Sequence, residues 1–451
     1  MPKLTLYRYQ FDAIIQMLAK ESLALFADMG LGKTIMTLSY FAIKKQQGKL
    51  NRCLIIAPKR VCDLVWPREV EKWDHMNHLT CFRLTDKKDL YSLKLNSDIL
   101  IINVENIFPY IQRLSEICDC LIVDESTTFK NHNSKRFKYL KPLLPKFKSR
   151  IILSGTPIPN SYLDLFAQIY IVDLGKRFTP YITVYRKVFF DAVEKGYSAR
   201  RFVEYEIKEG AEEKIKELIA QICLRIDKEH NKHMPNVIYD DIFVRFDSDL
   251  QKKYDTLEKY LLLELEHKEL LIDNASVNFI RCHQFTNGVV YGKQKQEEPI
   301  HTEKIEALKE LVESLQGKSL LIAYWYNSDL SLLKKYLPKL QVLGESDKKD
   351  IKLIDQWNHR KIKLLAGHPM SIGHGLNLQF GGNHIAWFSL ITNYEKYDQY
   401  NARLIRPGQT ETVHIHRIVA QDTIDEYVLL KKIDKKAFVL KDFLDYLKNK
   451  Q

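Results

Sequence analysis

The sequence lacks paired cysteines, zinc-site spacing and any membrane-length apolar run, and each absence removes a class of protein. Seven cysteines scattered over 451 residues form an odd set, which excludes a small disulfide-stapled scaffold. Cys118 and Cys120 stand one residue apart with no second pair at zinc spacing, so they read as buried thiols beside a strand. No cleavable signal opens the chain and no apolar stretch approaches the length that spans a bilayer. The expectation is a soluble protein of a reducing compartment. Nothing in the chain resembles a separate recognition helix or a zinc finger, so any nucleic-acid contact is expected to follow sugar-phosphate rather than bases.

What is present is positive charge and an alternating pattern. Lys and Arg total 69 against 57 Asp and Glu, a net charge of +12. A polyanionic partner and an ordinary basic soluble protein both fit that balance. The length suffices for two or three domains. Short apolar runs at 22–27, 53–57, 98–103, 120–124 and 149–154 predict parallel strands covered on both faces, with crossover helices between them. A second series follows at 319–324, 362–366, 384–388 and 413–417. Between the series, 205–232 and 248–270 read as helices, 226–236 as a connection between lobes, and 301–312 as a helix entering the second sheet. Residues 344–350 read as a solvent-facing interruption, and 424–444 as an amphipathic end.

One stretch carries distinct chemistry. Ala27-Asp28-Met29-Gly30-Leu31-Gly32-Lys33-Thr34 follows a predicted strand and precedes a predicted helix. Glycines let backbone N–H groups turn toward phosphates, Lys33 supplies a point charge, and Thr34 offers a hydroxyl to Mg²⁺. The usual pattern opens with a glycine where Ala27 stands, while Gly30 and Gly32 keep the local mechanism. No second phosphate loop accompanies the later strands. Asp124 and Glu125 lie just beyond another strand; Asp124 is placed to hold Mg²⁺ and Glu125 to orient and deprotonate an attacking water. The segment Ser154-Gly-Thr-Pro157 leaves the next strand. Its Ser154 and Thr156 are candidates for a relay to the acidic site, and a plain strand exit is the alternative. Far along the chain, Arg403 and Arg406 share a face if their segment is helical, with Pro407-Gly408 ending it. They could cap a γ-phosphate from a second lobe; in isolation such a pair is a solvated face. Trp325 and Trp387 read as core packing.

These segments, in this order, resemble the Swi/Snf-like DNA-dependent ATPases of helicase superfamily 2 across almost the whole length. Leu6 to Gln10 resembles the adenine-recognition motif, Asp28 to Thr34 motif I, Leu54 to Lys59 motif Ia, Asp124-Glu125 the start of motif II, and Ser154 to Asn160 motif III. Met370 to Leu378 resembles motif V, and Gln399 to Gln409 motif VI. Ser126 departs from the residue frequent at its place in motif II.

The resemblance implies an α/β fold of two tandem RecA-like parallel-sheet lobes with helical elaborations, divided at 1–232 and 233–451. It implies that Gln10 reads adenine, with Tyr7 or Tyr9 near the base, although Gln10 read without it would merely cap or solvate a helix. Asp28, Met29, Gly30, Leu31, Gly32, Lys33 and Thr34 would hold ATP with Arg403 and Arg406, and Thr34 and Asp124 would hold Mg²⁺. Lys59, Arg60, Ser371 and His374 would meet DNA, while Ser154, Thr156 and Gln399 would couple the two activities. The implied activity is ATP-driven travel on DNA, duplex in preference, by a monomer that can displace bound proteins, cytoplasmic or nucleoid-associated if the gene is bacterial or phage-borne. A strand-separating helicase, an RNA motor and a non-enzymatic DNA-binding module are the alternatives.

Overall fold

A computed structural model describes residues 5–158, 161–195, 202–227, 234–266, 272–291, 296–344, 346–372 and 376–435. The described residues fall into two compact units, one drawn from Met1–Ala192 and Tyr205–Lys232, the other from Val193–Glu204 and His233–Ala437.

The first unit is built on seven strands, β1 (Leu23–Ala27), β2 (Cys53–Ala57), β3 (Cys81–Arg83), β4 (Ile99–Asn103), β5 (Cys120–Val123), β6 (Ser149–Ser154) and β7 (Cys223–Ile226), in the order β3-β4-β2-β5-β6-β1-β7. Every pairing is parallel. Every residue of β1, β2, β4 and β5 is buried, as expected for continuous apolar runs sandwiched between helical layers. Because parallel strands all point one way, the segments leaving β5, β6 and β1 emerge at one edge of the sheet from adjacent strands.

The second unit carries six strands, β8 (Val237–Val244), β9 (Leu320–Ala323), β10 (Gln341–Leu343), β11 (Leu364–Gly367), β12 (His384–Trp387) and β13 (Val413–Ala420), in the order β8-β13-β12-β9-β11-β10, again all parallel. Two small two-stranded sheets, Phe190–Lys195 with Phe202–Ile207 and Val289–Tyr291 with Glu297–Pro299, complete the strands. Among the described residues no helix is long and apolar enough to cross a membrane.

Four expectations are corrected. The stretch 205–232 is not simply helical: strand Phe202–Ile207 runs into helix Ala211–Ala220 through Gly210, whose φ is +70°, and Cys223–Ile226 then joins the sheet beside β1. Its apolar alternation is too short to distinguish from a helix turn. The polar interruption at 344–350 turns inward at its end, because Asp350 is buried and accepts Gly344 N–H at 2.9 and 3.1 Å. Trp387 is core, its Nε1 bonded to Asn401 Oδ1 at 2.9 Å, whereas Trp325 lies past the end of β9, half-buried and stacked on His368. The helix expected to carry Arg403 and Arg406 stops at Asn401. Residues 267–270 of the expected helix, 228–233 of the connection and 436–444 of the amphipathic end lie outside the described residues.

Three imidazoles give the second unit an acid-sensitive core. Burial pulls His283, His301 and His384 from 6.5 down to about 4, opposed by Asp425 at His283, by the Phe285 carbonyl at His301 and by Glu411 at His384, while His416 and His414 push His384 further down. Each therefore stays neutral when folded and gains a proton when unfolded below pH 6.5, so its contribution to stability is lost as pH falls toward 4. The melting temperature should drop steeply across that window. His384→Gln should lower proton uptake on unfolding by about one, and unchanged uptake would refute the assignment.

Candidate nucleotide site

The loop after β1 is shaped by two glycines. Gly30 and Gly32 have φ of +83° and +82°, backbone that side chains other than glycine rarely adopt. Gly32 has a second constraint, since a Cβ there would collide with Gln10 Nε2. Gly32 caps the helix Lys33–Gln46, whose first turn presents Lys33 and Thr34. Lys33 Nζ donates to Ala27 O at 2.9 Å, across the mouth of the loop. Burial holds its pKa below the ordinary lysine value, and Glu125, Asp124 and Asp28 work against that by favouring the charged form.

Helix Arg8–Leu18 lies against this loop. Gln10 is buried, accepts Tyr7 N–H on Oε1 at 3.1 Å and donates from Nε2 to Leu31 O at 3.1 Å, while Tyr9 Oη donates to the same carbonyl at 3.1 Å. Tyr7 and Tyr9 stack at 5.7 Å. Gln10 thus completes its own helix start and braces the phosphate loop, so helix capping is part of its role.

Two strands away, Asp124 and Glu125 leave β5. Asp124 is buried; its Oδ2 accepts Trp66 Nε1–H and its Oδ1 accepts Glu125 N–H, both at 3.0 Å. Burial pushes its carboxyl upward, opposed by Lys33 and these two donors. Glu125 sits at φ +51° and ψ +61°, a left-handed conformation costly for a side-chain-bearing residue and concentrated at functional positions. Between these strands, β6 delivers Ser154, Gly155 and Thr156. A Cβ on Gly155 would stand 3.3 Å from Met29 Cγ, so this loop packs on the phosphate loop. Ser154 Oγ accepts Thr156 N–H at 3.1 Å, and the buried Thr156 hydroxyl has no hydrogen-bond partner among the described residues. Pro159 and Asn160 lie outside the described residues.

Three residues of this site, Arg225, Trp66 and Gln168, were missed from sequence. Arg225, on β7, pairs with Asp28 Oδ1 at 2.6 Å and donates to Phe26 O at 3.1 Å. It fixes the loop's carboxylate from 197 residues away, a separation at which no local pattern survives. Trp66 follows the helix Lys59–Leu64 and reaches Asp124. Ser126 Oγ donates to Gln168 Oε1 at 2.6 Å, and Gln168 Nε2 donates to Pro157 O at 2.8 Å and Asp164 O at 2.7 Å. With Ser126 and Gln168 fully buried, this polar pair ties the residue after Glu125 to the loop after β6. The departure at Ser126 was visible in the sequence; its partner Gln168 was not.

In the second unit, Arg403 and Arg406 follow helix Tyr394–Asn401 in consecutive turns. Arg403 is buried, donating from Nε to Gln399 O at 3.0 Å and from Nη1 to Leu376 O at 3.1 Å. Arg406 donates from Nε to Ala402 O at 2.7 Å and from Nη1 to Asn377 Oδ1, and burial lowers its pKa to about 10. Gln399 is buried between Glu395 and Lys396, at 3.1 and 2.9 Å. The two arginines therefore share anchorage on residues 376–377 without a shared helix. Ser371 sits in the turn Pro369–Ile372, its N–H on His368 O; His374 lies outside the described residues. Lys59 is exposed and Arg60 half-buried at the start of Lys59–Leu64, beyond β2.

The SNF2-related domain family matches residues 13–301. The chain belongs to that family. It is thereby a Swi/Snf-like member of helicase superfamily 2, and its two parallel sheets agree with the α/β architecture that the resemblance implies. This SNF2-related chain is 30% identical over 446 residues to protein p41 of Acyrthosiphon pisum secondary endosymbiont phage 1, covering 95% of this chain and 96% of p41. It is 26% identical to YwqA of Bacillus subtilis (strain 168), named as an ATP-dependent helicase/translocase, over 89% of this chain and 44% of YwqA. It is 25% identical to the DNA repair and recombination protein RAD54-like of Gallus gallus, over 91% of this chain and 62% of that protein. The chain thus spans nearly all of p41 but about half the length of the other two.

Proposed function

We propose that this chain hydrolyses ATP at the first unit's phosphate loop and uses the cycle to travel along duplex DNA. The observation that carries the reading is the convergence of Lys33, Asp124 and Glu125 just beyond the ends of β1 and β5, the two strands that flank β6, with Lys33 feeling both carboxylates. Membership of the SNF2-related family and the naming of YwqA and RAD54-like support it.

In this reading Gly30 and Gly32 turn N–H groups toward the phosphates and Lys33 sets its charge against their outer oxygens. The hard-oxygen set of Thr34 and a buried Asp124 suits Mg²⁺, which takes one or two protein oxygens and leaves the rest to substrate phosphates and water. Thr34 and Asp124 would hold that ion, which when bound neutralises charge on the phosphates. Glu125 accepts the proton of the attacking water, and the Ser126–Gln168 tie carries the change at motif II toward the loop after β6. Arg403 and Arg406 are assigned to the reacting triphosphate, and Lys59, Arg60 and Ser371 to the DNA backbone.

The deciding measurement is ATP turnover with matched single-stranded DNA, duplex DNA and RNA at fixed salt. Duplex DNA should stimulate most. Stimulation by RNA alone would replace the proposal with an RNA motor, and turnover indifferent to every polymer would assign the ATPase to another partner. Release of a triplex strand without separation of a labelled duplex is expected; efficient duplex separation would establish the helicase alternative.

A further inference from the structure

From Ser126 to Leu163 the sequence contains no Asp or Glu and eight Lys or Arg, against a net +12 for the whole chain. The structure gathers part of this charge on one outer face. In helix Lys135–Leu140, capped by Ser134 Oγ on Phe137 N at 3.3 Å, Phe137 and Leu140 point into the core. Lys135, Lys138 and Tyr139 are exposed on the other side and Arg136 is half-buried. Among the described residues, Lys135, Arg136 and Lys138 have no carboxylate partner, whereas Lys146 and Lys148, at the far end of the stretch, face Glu116 at 4.0 Å and Asp119 at 3.6 Å.

Cations from two further segments join the helix. Lys141 is fixed by donating to Pro180 O at 3.0 Å with its ammonium 4.4 Å from the Tyr170 ring centroid, and Arg186 lies over Tyr205 at 4.3 Å. None of these contacts neutralises charge. Their convergence registers on His132, whose pKa is pulled down by burial and then by Arg186, Lys138 and Lys141.

We propose that the outer face of Lys135–Leu140, with Lys141 and Arg186 beside it, is a second phosphate-backbone contact of the first unit, distinct from Lys59 and Arg60 and taking duplex DNA. The proposal rests on the DNA reading above and extends it to residues outside the family motifs. Duplex DNA carries about one charge per 1.7 Å of axis, and Lys135 and Lys138, three apart on a helix, lie about 5–6 Å apart at Cβ, so flexible ammonium groups can meet neighbouring phosphates. Spread positive charge suits a sequence-independent backbone better than a peptide.

The test is binding of fluorescein-labelled duplex DNA without nucleotide, from about 50 to about 200 mM salt. Lys135→Gln with Lys138→Gln should make the slope of log affinity against log salt shallower by about 2, each single change contributing about 1. The singles give the same answer should the double fail to fold. Lys135→Arg with Lys138→Arg should keep the parental slope. Lys146→Gln with Lys148→Gln removes the same formal charge where carboxylates already face it and should leave the slope unaltered. An unchanged slope in the first double, or an equal loss in both glutamine doubles, overturns the proposal while the motor reading stands on stimulated turnover. A parental chain that does not bind duplex DNA even at the lowest salt sinks the DNA reading together with this surface. Displacement of the duplex by poly-glutamate as readily as by unlabelled duplex would reassign the face to an acidic protein partner.

Discussion

Glu125→Gln should bind ATP with near-parental affinity and turn it over about 10²- to 10⁴-fold more slowly, the range that positioned general bases supply. The substitution keeps size and leaves the backbone in place, including the Glu125 N–H to Asp124 Oδ1 bond at 3.0 Å. What it removes is the capacity to take a proton. Lys33 would lose the largest of the attractions that favour its charged form but keep Asp124 and Asp28, so phosphate binding should survive. Equilibrium binding of a fluorescent ATP analogue alongside steady-state phosphate release separates the two effects. Parental turnover would remove Glu125 as base and turn attention to a water held by other groups.

Arg406→Ala should lower DNA-stimulated turnover by about 10³-fold or more if Arg406 acts as other arginine fingers do, with DNA affinity largely retained. Arg406 and Arg403 differ in what else they do. Arg403 is buried and donates to the Gln399 and Leu376 carbonyls, so its removal should show first as lost thermal stability. Arg406 holds Asn377 and the Ala402 carbonyl from a less enclosed position, and with a pKa of about 10 it remains charged at neutral pH. Arg406→Lys keeps the charge but not the planar fork and should recover little of the rate. A parental stimulated rate in Arg406→Ala, at unchanged DNA affinity, would reject the finger role.

The motifs were legible because their chemistry is local. Gly30, Gly32, Lys33 and Thr34 lie within one short stretch at a helix start, and β1, β2, β4, β5 and β6 announce themselves as apolar runs long enough to be buried on both faces. What escaped is what long-range packing decides. Arg225 reaches Asp28 from β7, a strand that reads equally as a helix segment, and β8 is an edge strand whose exposed residues carry little alternation. The helix before Arg403 ends at Asn401 although nothing in Ala402-Arg403-Leu404 forbids its continuation; Arg403 and Arg406 instead donate to carbonyls four residues back and to residues 376–377. The Ser126–Gln168 pair shows the same limit, since one half was noticed only as a departure from pattern.

With ATP bound as proposed, the bond from Gln10 to the Leu31 carbonyl would make the purine end and the phosphate end of the substrate answer to one amide. A residue expected to sense the nucleobase is already attached to the turn that would enclose the polyphosphate tail. Inorganic tripolyphosphate, which has no base or sugar, should therefore bind less tightly to a Gln10→Ala chain. Discrimination between purines and grip on phosphate would then be inherited together, and neither could drift without the other.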